Sequence, residues 1–202
     1  MRRGRALPAV AGVLVSAALV ACSGSPRTPA PTTAAPTPIA KLDLSRIRVA
    51  RAHFCDRVPD SAVRAALGGK AQADDSWGNG DPVPDGGGSG AVGHEIGCGW
   101  SGAGGAAARA WVFARPIAAD FARSLVAQAG KQQGCTGAAV PVFGSPALLQ
   151  TCTGTDGVER VRRAGLFGDA WLTCEVAGSA GTHPRARLDP WCAAVVAALD
   201  VG

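Results

Sequence analysis

The stretch VERVRRAGLFGDAWLTCEV, residues 158–176, predicts the centre of the fold. Its second half alternates: Leu172, Cys174 and Val176 point one way and the residues between them point the other way, which is the period of a strand. The first half, VERVRRAGLF, is a second strand candidate, and Gly168 can supply a tight turn between the two. Strands joined by so short a turn pair antiparallel, so this stretch predicts a sheet built from hairpins.

Three further strands are predicted outward from this hairpin. HEIGCGWSG and AARAWVFARP form a hairpin around a glycine-rich turn, with Ile96, Cys98 and Trp100 alternating onto one face. GSPALLQTCTG supplies another strand before the turn pair Asp156-Gly157. The sheet is therefore expected to have about five strands.

Three helices are predicted from apolar residues spaced three and four apart. The first is VPDSAVRAALGG, and the second carries a stripe of Ile117, Phe121 and Leu125. The third begins with Asp189 as its cap and Pro190 in its first turn. Helices that are separate from antiparallel hairpins predict an α+β fold, with the three helices packed on one face of the sheet.

The N-terminus has the pattern of an export signal that ends in a cysteine. Three arginines precede an apolar run at 6–20, which is short for a membrane span, and the small residue Ala21 comes before Cys22. LVAC, residues 19–22, resembles the bacterial lipobox, in which the cysteine is acylated, for example with palmitate. The sequence thus predicts a signal peptide at 1–21 and a lipid anchor on Cys22, and the alternative is an ordinary secretory signal with an incidental cysteine.

The rest of the chain divides by composition into a linker and one domain. Residues 22–45 are rich in Pro, Thr, Ser and Ala and predict an extended linker that holds the domain away from a membrane. Residues 46–202 are long enough for a single extracytoplasmic domain. Within it, residues 74–95 are dominated by Gly, Pro and Asp and predict a flexible loop.

Cysteine usage predicts a stapled domain. Of the 7 cysteines, Cys22 takes the lipid, and six cysteines in an exported domain predict three disulfides. The predicted pairs join a helix region to a strand twice and close one local loop: Cys55–Cys98, Cys174–Cys192 and Cys135–Cys152. The main alternative is Cys55–Cys192, which ties the two terminal helices together. No cysteine and histidine spacing indicates a metal site.

Charge and motifs argue against nucleic acid and give no catalytic set. The chain has 20 basic and 15 acidic side chains, and three arginines leave with the signal, so 17 basic residues remain and the mature charge is 17 − 15 = +2. The densest basic cluster, Arg160, Arg162 and Arg163, predicts a solvated strand face. GSGAVG at 88–93 and GCGWSG at 97–102 match GxGxxG, but neither has a strand before it and a helix after it, so no cofactor is predicted. GWSGA misses the nucleophile elbow GxSxG.

The remaining chemical groups are scattered along the chain. The three histidines are predicted to be exposed loop residues: His53, His94 and His183. A pair of carboxylates for hydrolysis would have to come from Glu95, Asp120, Glu159, Asp169 and Glu175, which nothing in the sequence gathers. The five tryptophans could pack in the core or line a ligand groove, and Trp77 is the strongest candidate for a groove.

Taken together, Cys22 with its linker, GCGW at 97–100, LTCEV at 172–176 and DPWC at 189–192 resemble small secreted lipoproteins of actinobacteria of uncharacterised function. The resemblance implies an α+β envelope domain with a sensor-like role and carries over no catalytic residue. We therefore expect a lipid-anchored module on the extracytoplasmic face of the cell membrane. It would bind an unknown small ligand or an envelope protein without catalysis, and the alternatives are a cell-envelope hydrolase or a protein-binding scaffold.

Overall fold

One antiparallel sheet of seven strands forms the largest part of the fold. The structure is a computed structural model that describes residues 38–82, 92–179 and 181–202. The strands are β1 Ala73–Trp77, β2 Glu95–Ser101, β3 Ala107–Phe113, β4 Cys135–Ala139, β5 Ala147–Thr153, β6 Val158–Phe167 and β7 Ala170–Ser179. They lie side by side in the order β1-β2-β3-β7-β6-β5-β4, so the strands of the opening stretch lie at the middle.

The expected sheet of about five strands was wrong, because β1 and β4 were not predicted. Both are edge strands of five residues. Four of the five residues of β1, ADDSW, are exposed, and it occupies the start of the segment predicted as a loop at 74–95. In β4, CTGAA, a glycine and small side chains replace the apolar alternation on which strand prediction depends.

Helices cover both faces of the sheet, so the expectation of one helical face was also wrong. The helices are α1 Asp60–Leu67, α2 Ala119–Ala129 and α3 Pro184–Leu199. The main core joins α1 and α3 to the sheet face that carries Leu172, Cys174 and Val176. A second, smaller core joins α2 to the opposite face, through Trp171 and its neighbours. The sheet is therefore a middle layer, with α2 on the face opposite α1 and α3.

Two of the helices differ from their predicted form. In α2 the buried residues are Ala122 and Ala129, whereas Phe121 of the predicted stripe is 49% exposed. Small alanines let the helix approach the sheet closely, which a periodicity argument based on large apolar residues misses. Helix α3 begins at Pro184, so Pro190 lies inside it and Asp189 is not its cap.

The N-terminal part of the described chain packs onto the domain. Ile39 is 2% exposed in the main core, and Leu42 and Leu44 pack against the same core. Val49 forms a bridge with Asp200, and the Arg48 backbone N–H donates to Asp200 Oδ1 at 3.0 Å. The packed structure thus includes residues from the stretch that was predicted as linker, 22–45.

Candidate ligand-binding groove

Three cysteine pairs lie at disulfide distance. Their Cα–Cα distances are 5.6 Å for Cys55–Cys98, 4.0 Å for Cys135–Cys152 and 5.5 Å for Cys174–Cys192. Cys98 and Cys174 point into the main core, while Cys135 and Cys152 are opposite each other on the edge strand β4 and its neighbour β5. The predicted lipid anchor, Cys22, lies outside the described residues.

A groove of about 370 Å³ lies between α2 and the sheet face that α2 packs on. Its apolar part consists of Trp111, Phe113, Leu125, Leu148 and Trp171. Its polar part consists of Gln128, Gln132, Arg162 and Thr173. Clefts of a few hundred Å³ with apolar walls and a few convergent polar groups are typical of small-molecule sites.

Strand register places five polar side chains and two glycines in one row across the sheet beside the groove. Opposite partners in successive strands are Asp75, Gly99, Arg109, Glu175, Arg162, Gln150 and Gly137, one from each strand. The next row in the register includes Trp111 and Thr173 in the same way. Trp111 and Thr173 therefore lie in the row next to Arg162.

Glu175 is the buried carboxyl of this row, with 8% of its surface exposed. Burial raises the pKa of Glu175 above its ordinary value of 4.5, and the positive charges of Arg162, Arg109 and Arg160 oppose that rise. Because burial outweighs the three cations, the ionised carboxylate is disfavoured. Sequence alternation placed Glu175 opposite Cys174 but gave no sign that arginines from two other strands surround it.

Side-chain amides hold Arg162 in place at the polar end of the groove. Its Nε donates to Gln150 Oε1 at 2.5 Å and its Nη2 donates to Gln132 Oε1 at 3.2 Å. Gln150 is fully buried, and its Nε2 donates to the Ala129 carbonyl at 2.7 Å and to Gln132 Oε1 at 3.1 Å. The glutamines were missed from the sequence, since an amide in a strand or after a helix has no distinctive spacing.

The predicted basic cluster is divided between the two faces of β6. Arg162 lies on the groove face, whereas Arg163 lies on the opposite face and its Nε pairs with Asp189 Oδ1 of α3 at 2.8 Å. Arg160 pairs with Asp156 at 3.0 Å. All three arginines are partly buried, so the solvated strand face expected for them is wrong.

Aromatic residues are placed differently from expectation. Trp111 and Trp171 line the groove, while Trp77, the expected exception, is 5% exposed and lies across Gly97. Burial raises the pKa of Glu95, and the Trp77 indole opposes the rise. Among the described residues, no acceptor meets hydrogen-bond geometry with Trp77 Nε1.

The other candidate groups do not assemble in the described part of the chain. His53, His94 and His183 are exposed, as predicted, and lie outside regular strands and helices. Asp120 is on α2, and Glu159 lies on the sheet face opposite Glu175. Asp169 lies in the turn before β7 and pairs with Arg51. No group of three His, Cys, Asp or Glu that could hold a metal occurs among the described residues.

Comparison with known proteins gives no family for this chain. No protein-family model matches the sequence, and no curated protein matches it. Among residues 38–82, 92–179 and 181–202, no helix is both long and apolar enough to cross a membrane. What the protein does must therefore be argued from its own residues.

Proposed function

We propose that this protein is a lipid-anchored, extracytoplasmic module of the cell envelope that binds a small ligand without turning it over. The observation that carries the binding role is the groove under α2, where aromatic side chains meet an arginine fixed by two glutamines. The lipobox-like LVAC at 19–22 and the even number of cysteines after it support the anchored, extracytoplasmic location.

The construction of the groove suits binding. Its floor is a sheet rather than a loop, and Arg162 is held by the buried Gln150, so little ordering of this arginine is needed when a ligand enters. Indole and phenyl rings supply large apolar contact with few rotatable bonds. The amides of Gln128 and Gln132 and the Thr173 hydroxyl group would orient polar atoms of the ligand.

The anchor is tested by expressing the full chain in a bacterium that acylates lipoproteins. We expect the mature protein to begin at an acylated Cys22, seen by mass spectrometry, and to fractionate with membranes. Cys22→Ala should lack the lipid mass and leave the membrane fraction. A wild-type chain without any acyl group would contradict the anchored role.

Binding is tested by screening small molecules against the full-length protein, with thermal stabilisation as the first measurement and calorimetry as the second. Trp111→Ala should weaken the binding of any true groove ligand. Phe121→Ala serves as the matched control, because Phe121 is an exposed aromatic residue on α2 that does not line the groove. Ligands that bind both variants equally, or turnover of a cell-wall or ester substrate at enzymic rates, would contradict the proposal.

A further inference from the structure

We propose that the groove selects small organic carboxylates, with the carboxylate on Arg162 and an apolar body against Trp111 and Trp171. This inference rests on the binding function proposed above and names the ligand class for the same site. It follows from the partners of Arg162, from the charge around it and from the division of the groove into two halves.

Arg162 has hydrogen-bonding capacity to spare. A guanidinium group carries five N–H donors, and the contacts to Gln150 and Gln132 use one on Nε and one on Nη2. Both partners are neutral amides. None of the described carboxylates forms an ion pair with Arg162, so the structure fixes the direction of this cation without neutralising it by direct contact.

Arg162 supplies the positive charge at the polar end of the groove. Glu175 is the buried carboxyl between Arg109 and Arg162 in the register, and Arg160 also acts on it. Arg160 is paired to Asp156, and Asp75 lies in the same row as Arg109. Among the described residues that line the groove, Arg162 is the charged one. An anionic ligand complements Arg162, whereas a cationic ligand would be repelled by it.

The apolar half of the groove specifies the rest of the ligand. Trp111, Phe113, Leu125 and Trp171 form a surface that an aromatic ring or short aliphatic chain could contact. A volume of about 370 Å³ is near the lower end of the range for small-molecule sites. A planar carboxylate matches the guanidinium fork, which favours one compact acid with a single apolar body.

The test uses the full chain and four compounds that share parts of one structure. 4-Phenylbutyrate has both the body and the acid, 4-phenylbutanamide and 4-phenylbutylamine keep the body with a neutral or cationic head, and butyrate keeps only the acid. Calorimetry should give 4-phenylbutyrate the highest affinity, about tenfold or more above the amide, because a charge-assisted hydrogen bond is lost in the amide. The amine and butyrate should bind more weakly still.

Arg162→Gln should remove the preference for the acid, because it lowers the affinity for the acid far more than the affinity for the amide. The glutamine amide reaches about as far as the arginine Nε and can still meet Gln150. Arg162→Lys keeps the charge without the fork and should retain part of the preference. Arg163→Gln is the matched control, because it removes the same charge from the next residue of β6 on the opposite face. The control should keep the full preference.

Equal affinity for acid and amide in the wild type, a preference for the amine, or an unchanged preference in Arg162→Gln would overturn the inference. If acid and amide bind equally and Trp111→Ala weakens both, the groove still binds ligands and only the carboxylate class is wrong. Absence of binding by 4-phenylbutyrate also overturns the inference. The binding function itself falls when the wider screen finds no ligand that depends on Trp111.

Discussion

Glu175 lies in a strand that is otherwise apolar or neutral, beneath guanidinium groups from β3 and β6. Its neighbours in the sheet would stabilise a carboxylate, yet burial has the larger effect on its pKa. The charge of Glu175, in the row beside the groove, depends on pH. It therefore links the stability of the fold to pH.

Glu175→Gln is expected to reduce the dependence of stability on pH. Because the pKa is raised in the folded state, the folded protein binds the proton more tightly than the unfolded chain does. The free energy of unfolding therefore falls as pH rises from the ordinary value of 4.5 to the raised value, and it stays lower above that. Glutamine has nearly the same shape and cannot ionise, so this part of the fall should disappear.

Urea unfolding at a series of pH values, from about 4 to 8, measures the effect of the Glu175 substitution. A smaller fall should remain in Glu175→Gln, because burial also raises the pKa of Glu95. Glu159→Gln is the control, since Glu159 lies on the opposite sheet face, and it should keep the fall due to Glu175. An identical pH profile for wild type and Glu175→Gln would show that Glu175 does not couple to folding.

At the scale of elements, prediction from sequence succeeded where apolar alternation is strong. Strands β2, β3, β5, β6 and β7 and the buried face of α1 follow from it, because each has a face that must leave water. The edge strands were not predicted because they lack a continuous apolar face. Edge strand β1 exposes two aspartates to solvent, and β4 carries Gly137, against which the backbone at Ala129 packs closely.

The groove could not be predicted from the sequence, because its residues come from separate parts of the chain. Trp111 and Trp171 were recognised as possible groove residues, but nothing in the sequence placed them on one face with α2 above. Their meeting depends on the pairing of β3 with β7 and on which face α2 covers, and both are long-range facts. The support of Arg162 by Gln150 and Gln132 depends on the unpredicted position of β4 and of the segment after α2.

Helix α2 offers a direct test of which residues hold it on the sheet. Leu125 packs against the smaller core, and Phe121 is largely exposed. We expect Leu125→Ala to lower the free energy of unfolding by about 1–2 kcal/mol, less than for a fully buried leucine, and Phe121→Ala by less than about 0.5 kcal/mol. Chemical unfolding of both variants at one pH checks this. A larger loss of stability in Phe121→Ala than in Leu125→Ala would show that Phe121 packs on the sheet, as the sequence predicted.

At the scale of the whole molecule, two cysteine pairs join helical segments to the sheet and the third joins two strands at its edge. Cys55–Cys98 and Cys174–Cys192 fasten the layer of α1 and α3 to the sheet, while Cys135–Cys152 fastens the edge strand β4 beside the groove. By loop entropy, a bridge of this last size stabilises by about 3 kcal/mol. The groove thus lies on a sheet that is tied on one face by two bridges and at its edge by the third.

Ile39 tests where the packed domain begins along the chain. Ile39 is buried in the main core, while Lys41 two residues later is exposed. We expect Ile39→Ala to lower the free energy of unfolding by about 2–5 kcal/mol, because a buried isoleucine leaves a cavity, and Lys41→Ala to have little effect. Urea unfolding of the two variants measures this. If they unfold alike, the packed domain begins near residue 46, as composition alone predicted.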